Sequence, residues 1–181
     1  MKPWRTILAS TLLSLACLSA ASQVSVDHYR GDGMRYVRSC EEVMYDNYFH
    51  TARFAVAAVV NDAGMASFSL EVTFDEGMLH VSQGDSLTLV LRGGARIVLK
   101  TDRDVTKGDI LKRHYRSRND YYVTCHYPLS NYDIQRLTRN RTTKISMQTD
   151  RFTFDRKVDK FQERFRKQFT ELYRFLMEGR K

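Results

Sequence analysis

The sequence predicts an α+β domain: an antiparallel β-sheet curling into a sandwich, with a short helix near residues 131–139 and a long amphipathic helix at the C-terminus. Three observations carry that expectation. Apolar and polar residues alternate with period two in successive runs between residues 54 and 100. Short clusters of Gly, Asn and Asp separate the runs, as hairpin turns require. Beyond residue 157 the apolar period lengthens to three and four.

In chain order, Phe54, Val56, Ala58 and Val60 alternate, Asn61-Asp62-Ala63-Gly64 supplies a turn, and Phe68, Leu70, Val72 and Phe74 alternate against Ser67, Ser69, Glu71 and Thr73. That is a hairpin with one buried face. Asp75-Glu76-Gly77 turns into MLHV, and Gln83-Gly84-Asp85 turns again. Leu87, Leu89 and Leu91 alternate, and Gly93-Gly94 connects them to ARIVLK. Ser130 and Asp133 have the spacing of a capping box, with Ile134 and Leu137 as the stripe of a short helix that stops before Asn140. Residues 144–149 then read as a strand, paired with the stretch around Phe152 and Phe154. In the terminal helix, Val158, Phe161, Phe165, Phe169, Leu172, Tyr173 and Leu176 form one stripe, with Lys157, Lys160, Arg164, Lys167, Glu171 and Arg174 opposite. Such a stripe docks on a sheet; a membrane surface or a partner helix is the alternative.

The N-terminus has the three parts of a secretory signal peptide: Lys2 and Arg5, an apolar run from Ile7 to Leu18, and small residues at Ala20 and Ser22. Cleavage after Ser22 removes 22 of the 181 residues and leaves 159, the size of one domain spanning residues 23–181. In a competing reading, Ser14-Leu15-Ala16-Cys17 is a loose lipobox and Cys17 becomes a lipidated anchor. No later segment is apolar and long enough to cross a bilayer as a helix. With 43% apolar and 12% aromatic residues the chain is not of the disordered class.

Once the leader is gone, Cys40 and Cys125 are the remaining cysteines, and in an oxidising compartment a single disulfide between them is the expected use. The alternative would join Cys125 to its neighbour His126 as a metal or redox site. Strand alternation opposes it, since Tyr121, Val123, Cys125 and Tyr127 face one way and Tyr122, Thr124 and His126 the other. No C-x-x-C or second ligand pair is present, so no metal ligand is assigned.

The run SLEVTFDEGMLHVSQGDSLTLVLRGGARIVLKT, followed by YYVTCHYPLSNYDIQRLTRNRTTKISMQTD, resembles a group of small exported bacterial proteins with no assigned activity. The shared pattern is a hairpin, a glycine-linked G-x-S-L-x-L strand pair, a Y-P-L/I-S-x-x-x-L-x-x-L turn into a short helix, a basic strand and a terminal helix. It covers roughly residues 67–177. The resemblance implies a compact β-rich fold and adds no site residues.

The formal net charge is +8, falling to +6 when Lys2 and Arg5 leave with the leader, and the isoelectric point is near 9.5. Lys112, Arg113, Arg116 and Arg118 interleave with Tyr115, Tyr121 and Tyr122, and Arg136, Arg139 and Arg141 follow. Such a patch can hold an acidic glycan or an anionic lipid, or simply keep the protein soluble. Export disfavours nucleic acid as partner. Asp102, Asp104 and Asp109 lack the glycine and terminal glutamate of an EF-hand and read as solvated loop carboxylates. Arg30-Gly31-Asp32-Gly33 reads as a turn, and the sequon Asn140-Arg141-Thr142 matters only in a eukaryotic secretory pathway.

No nucleophile elbow, H-E-x-x-H, P-loop, dinucleotide fingerprint or active-site cysteine signature is present, so neither catalytic residues nor a cofactor is assigned. Two functions from different classes follow. The first is an exported, non-catalytic accessory or interaction module of the bacterial cell envelope, with an envelope protein, acidic glycan or anionic lipid as partner. The second is a small hydrolase whose residues converge only in the fold. A concave pocket holding a histidine with a carboxylate in reach favours the second, and a flat basic face favours the first.

Overall fold

The computed structural model describes residues 24–46, 51–74, 81–105, 123–148 and 153–178. Its ten strands are β1 (Val24–Tyr29), β2 (Arg35–Ser39), β3 (Glu42–Asp46), β4 (Thr51–Val60), β5 (Ala66–Phe74), β6 (Ser86–Leu91), β7 (Arg96–Lys100), β8 (Val123–Leu129), β9 (Thr142–Gln148) and β10 (Thr153–Lys157). The helices are α1 (Asn131–Arg139) and α2 (Phe161–Glu178). All pairings are antiparallel. One sheet runs β1-β2-β4-β5-β8 with β3 also on β4, and the other runs β10-β9-β6-β7.

The expected hairpins form where the turn residues stand. Gly64 lies at φ 74° between β4 and β5, and Gly93 and Gly94 at φ 91° and 88° close β6 onto β7. A side chain would be strained at such angles, so these positions need glycine. Arg30-Gly31-Asp32-Gly33 is the turn between β1 and β2. Ser130 and Asp133 complete both halves of a capping box at the start of α1, and Asn140 ends it by bonding the Arg136 carbonyl. The leader, the turn at Asp75-Glu76-Gly77 and most of the MLHV run lie outside the described residues.

The period-two apolar residues of both sheets meet in one core. Phe54, Val56, Leu70, Val72, Phe74, Cys125 and Tyr127 of the first sheet share it with Leu87, Leu89, Ile97, Ile145 and Met147 of the second. Phe154 of β10 packs edge-on against Phe74 and Tyr45. Helix α2 reaches the same face of the first sheet, with Phe161 on Phe54 and Phe169 on Phe68. One member of the expected stripe behaves differently: Tyr173 is 49% exposed, while Gln168, outside that stripe, is buried.

Gln168 is buried because β4 has a divided neighbour. Strand β2 pairs along one half of the β4 edge and β3 along the other, leaving a break at Cys40-Glu41. Backbone groups at a break must find other partners or pay for desolvation. The Ser39 hydroxyl accepts from Val56 N at 2.9 Å, Gln168 Nε2 donates to the Cys40 carbonyl at 2.8 Å, and Arg164 donates to the Val43 carbonyl. Arg164, expected on the solvent side, is thus drawn inward.

The Cys40–Cys125 disulfide is not formed: both thiols are free, Cys40 exposed and Cys125 buried. Cys40 lies at the break beside β4 and Cys125 on β8, with β4 and β5 between them. Three strand spacings amount to about 14 Å, whereas a disulfide needs its Cα atoms within about 7 Å. Burial pushes the Cys125 thiol up to about 12, which keeps it protonated and unreactive. Alkylation of the native protein without reductant should therefore mark Cys40, and Cys125 only after unfolding, as read by peptide mass. Protection of both until reduction would contradict the fold. Removing a fully buried ring, as in Phe161→Ala, should cost about 3–5 kcal/mol in urea unfolding, while Tyr173→Ala should cost under about 1 kcal/mol.

Candidate functional site

The outer face of the first sheet carries the residues that alternate with the core set. Register places Tyr36 opposite Val59, Arg38 opposite Ala57, Ala55 opposite Glu71, and Glu71 opposite His126. Strand β4 contributes only small side chains at its middle here, Ala55 and Ala57. Their methyl groups leave room for long side chains from β2 and β5 to meet above β4, across about 10 Å of sheet. Arg38 Nε donates to Glu71 Oε2 at 2.7 Å, and the Tyr36 hydroxyl donates to Glu71 Oε1 at 2.6 Å. Arg38 Nη2 continues the chain to Glu41 Oε1 at 2.8 Å.

Glu71 is only 8% exposed, so its charge is tolerable because both oxygens accept charge-assisted bonds. Burial, reinforced by the neighbouring Glu71 carboxylate, holds the Tyr36 hydroxyl well above its usual range, so it stays a donor. The ring of His28 on β1 lies 5.3 Å from that of Tyr36.

The opposite wall comes from β8 and the loop after β7. Asp102 N donates to the His126 carbonyl at 3.4 Å, which lays the loop along the edge of β8. Asp104 Oδ1 accepts from Gln83 N at 2.6 Å and Thr101 Oγ1 donates to the Ser82 carbonyl, fixing the loop from its other side. Asp102 Oδ2 thereby stands 2.9 Å from His126 Nδ1, although no acceptor lies along a ring N–H axis there. Burial depresses the His126 pKa, with Asp102 opposing that shift and Arg103 adding to it.

Between these walls is an open hollow of about 590 Å³ floored by Val59, with Tyr36, Glu71, Asp102 and His126 on its sides and Arg30, Arg103 and His28 at its rim. A smaller recess of about 200 Å³ continues past Arg103 toward Val105 and Thr124. The formal charges of the lining balance, Arg30 and Arg103 against Glu71 and Asp102. Thr73 and Thr124 bond their hydroxyls to each other at 3.0 Å. Among the described residues no cluster of His, Cys, Asp or Glu has metal-binding geometry.

Asp102 is an exposed loop carboxylate, as expected, that also lines the hollow beside His126, and Asp104, likewise exposed, fastens the loop; Asp109 lies outside the described residues. Cys125 and His126 point to opposite faces, as alternation requires. Of the basic patch, Lys112, Arg113, Arg116 and Arg118 lie outside the described residues. Arg136 donates to the Arg96 carbonyl at 2.9 Å and lies over the Tyr132 ring; Arg141 pairs with Asp159 at 3.1 Å; Arg139 is exposed at the end of α1. Sequence reasoning missed His28, Tyr36, Glu71 and Arg103, and its one signal for them is the pair Ala55 and Ala57 at adjacent outward-facing positions of β4.

No family model, curated protein or solved structure matches this chain. Cutting Glu71 back to Ala leaves the half-buried Arg38 guanidinium with Glu41 as its remaining carboxylate, so Glu71→Ala should cost about 3 kcal/mol in urea unfolding. A cost below about 1 kcal/mol would mean that Arg38 and Tyr36 are solvated rather than clamped.

Proposed function

We propose that this protein is an exported, non-catalytic binding module of the bacterial cell envelope. Its ligand is a small polyhydroxylated molecule, of the size of one or two sugar units, held in the hollow on the outer face of the first sheet. The observation that carries this reading is the charge-balanced lining of that hollow, preorganised by Glu71. Its lining holds both donors, Arg30 and Arg103, and an acceptor, Asp102, and a sugar hydroxyl both donates and accepts. The volume is in the range of small-molecule sites, and the tilted Tyr36 and His28 rings offer an apolar side for a sugar face. Export rests on the leader pattern of residues 1–22.

A second reading, the hydrolase, draws on the approach of Asp102 to His126 at 2.9 Å, the arrangement that orients a general base. One experiment separates the two. Ligand-observed NMR against neutral and acidic oligosaccharides, envelope-glycan fragments included, should show saturation transfer with the sugar unchanged after prolonged incubation. Arg103→Ala should weaken that binding about tenfold, a loss of about 1.4 kcal/mol, without lowering the melting temperature. Turnover abolished in His126→Gln would establish the hydrolase instead. Absence of transfer to every sugar would overturn the binding reading.

A further inference from the structure

We infer that His126 is the residue that selects the ligand in the hollow: its Nε2 accepts a hydrogen bond from a ligand hydroxyl and disfavours an anion at that point. The assignment rests on the binding reading above and deepens it. Its basis is the placement of the two ring nitrogens. Nδ1 is buried and has Asp102 Oδ2 2.9 Å away. A lone pair facing a carboxylate at that distance is repulsive, so the carboxylate keeps the proton on Nδ1 even off the bond axis. In a neutral imidazole the other nitrogen is then an acceptor. With Nδ1 buried, the ring edge that reaches the hollow is the Nε2 edge, and no described group bonds Nε2.

The charged groups around the ring agree with neutrality. Glu71 faces it from β5, and Asp102 and Arg103 face it from the loop after β7. Arg38 on β2 is taken up by Glu71 and Glu41, the protonated Tyr36 lies beyond Glu71, and His28 and Arg30 stand across the hollow. Burial outweighs the carboxylates and lowers the pKa, leaving the ring uncharged at neutral pH.

The sign of the pH effect follows. Protonation places a hydrogen on Nε2, turning the acceptor into a cationic donor. A ligand hydroxyl held as a donor, its own oxygen already accepting from a neighbouring wall group such as Arg103, gives its hydrogen to the neutral ring alone, so its affinity is flat at neutral pH. Below the pKa of the free protein, which lies under 6.5, it weakens about tenfold per pH unit as the competent fraction falls. An anionic ligand follows the opposite course.

The test is calorimetric titration between pH 4.5 and 7.5 with cellobiose and N,N′-diacetylchitobiose as neutral probes and glucuronate as the anionic one, on wild type, His126→Gln and His126→Phe. The neutral probes should weaken on acidification in wild type and lose that dependence in His126→Gln, whose amide oxygen accepts without titrating. Binding should fall at least tenfold in His126→Phe with the melting temperature kept. Nitrogen-15 shifts of the ligand-free protein should report the Nδ1–H tautomer. An Nε2–H tautomer, or neutral-probe binding that ignores pH or the substitutions, overturns the role of His126 and leaves the binding reading standing. No binding of any probe at any pH overturns both.

Discussion

Strand β5 is covered on both faces, and the rest of the molecule answers to that constraint. Leu70, Val72 and Phe74 enter the core between the sheets, while Ser69, Glu71 and Thr73 are buried on the other side. Polar groups removed from water must be bonded within the protein. Thr73 is satisfied by Thr124 on β8, and Glu71 by Tyr36 and Arg38 two strands away on β2. The buried carboxylate thus draws together β2 and β5, two strands that share no pairing of their own, and the groups left at its margin become the walls of the hollow.

The second organising feature is the divided partner of β4. A single long strand there would need no help; two short ones expose carbonyls at the join. Helix α2 meets the break with Gln168 and Arg164, which fixes its rotation about its own axis and so decides which aromatic rings reach the sheet. Turned this way, Phe161 and Phe165 are fully buried and Tyr173 is left outside. Packing and hydrogen bonding at one helix face are therefore not separable, because polar anchors select among apolar stripes of similar width.

This explains what the sequence could and could not reveal. Alternation, turn chemistry and capping are local, and among the described residues they announce elements that are present: the hairpin around Gly64, the glycine-linked pair at Gly93-Gly94, the capped α1 and the terminal helix. The disulfide inference failed because cysteine counting carries no distance; β4 and β5 separate Cys40 from Cys125, and strand order is not written in any local pattern. The site was equally hidden. Glu71 sits among polar alternating residues and reads as one more solvent-facing side chain until β2 is known to lie beyond β4. Asp102 reads as a loop carboxylate until the loop is known to run along β8. Ala55 and Ala57 are visible in the sequence, yet their meaning depends on what must cross above them.

The hollow draws its walls from both halves of the sandwich, since His126 belongs to the first sheet and Asp102 and Arg103 extend from β7 of the second. Anything that bridges those walls also ties the layers to each other. Separating the sheets would then require releasing the occupant first, so a loaded molecule resists mechanical pulling and protease attack longer than an empty one. Under the proposed binding role, occupancy would set the lifetime of the domain as well as its state.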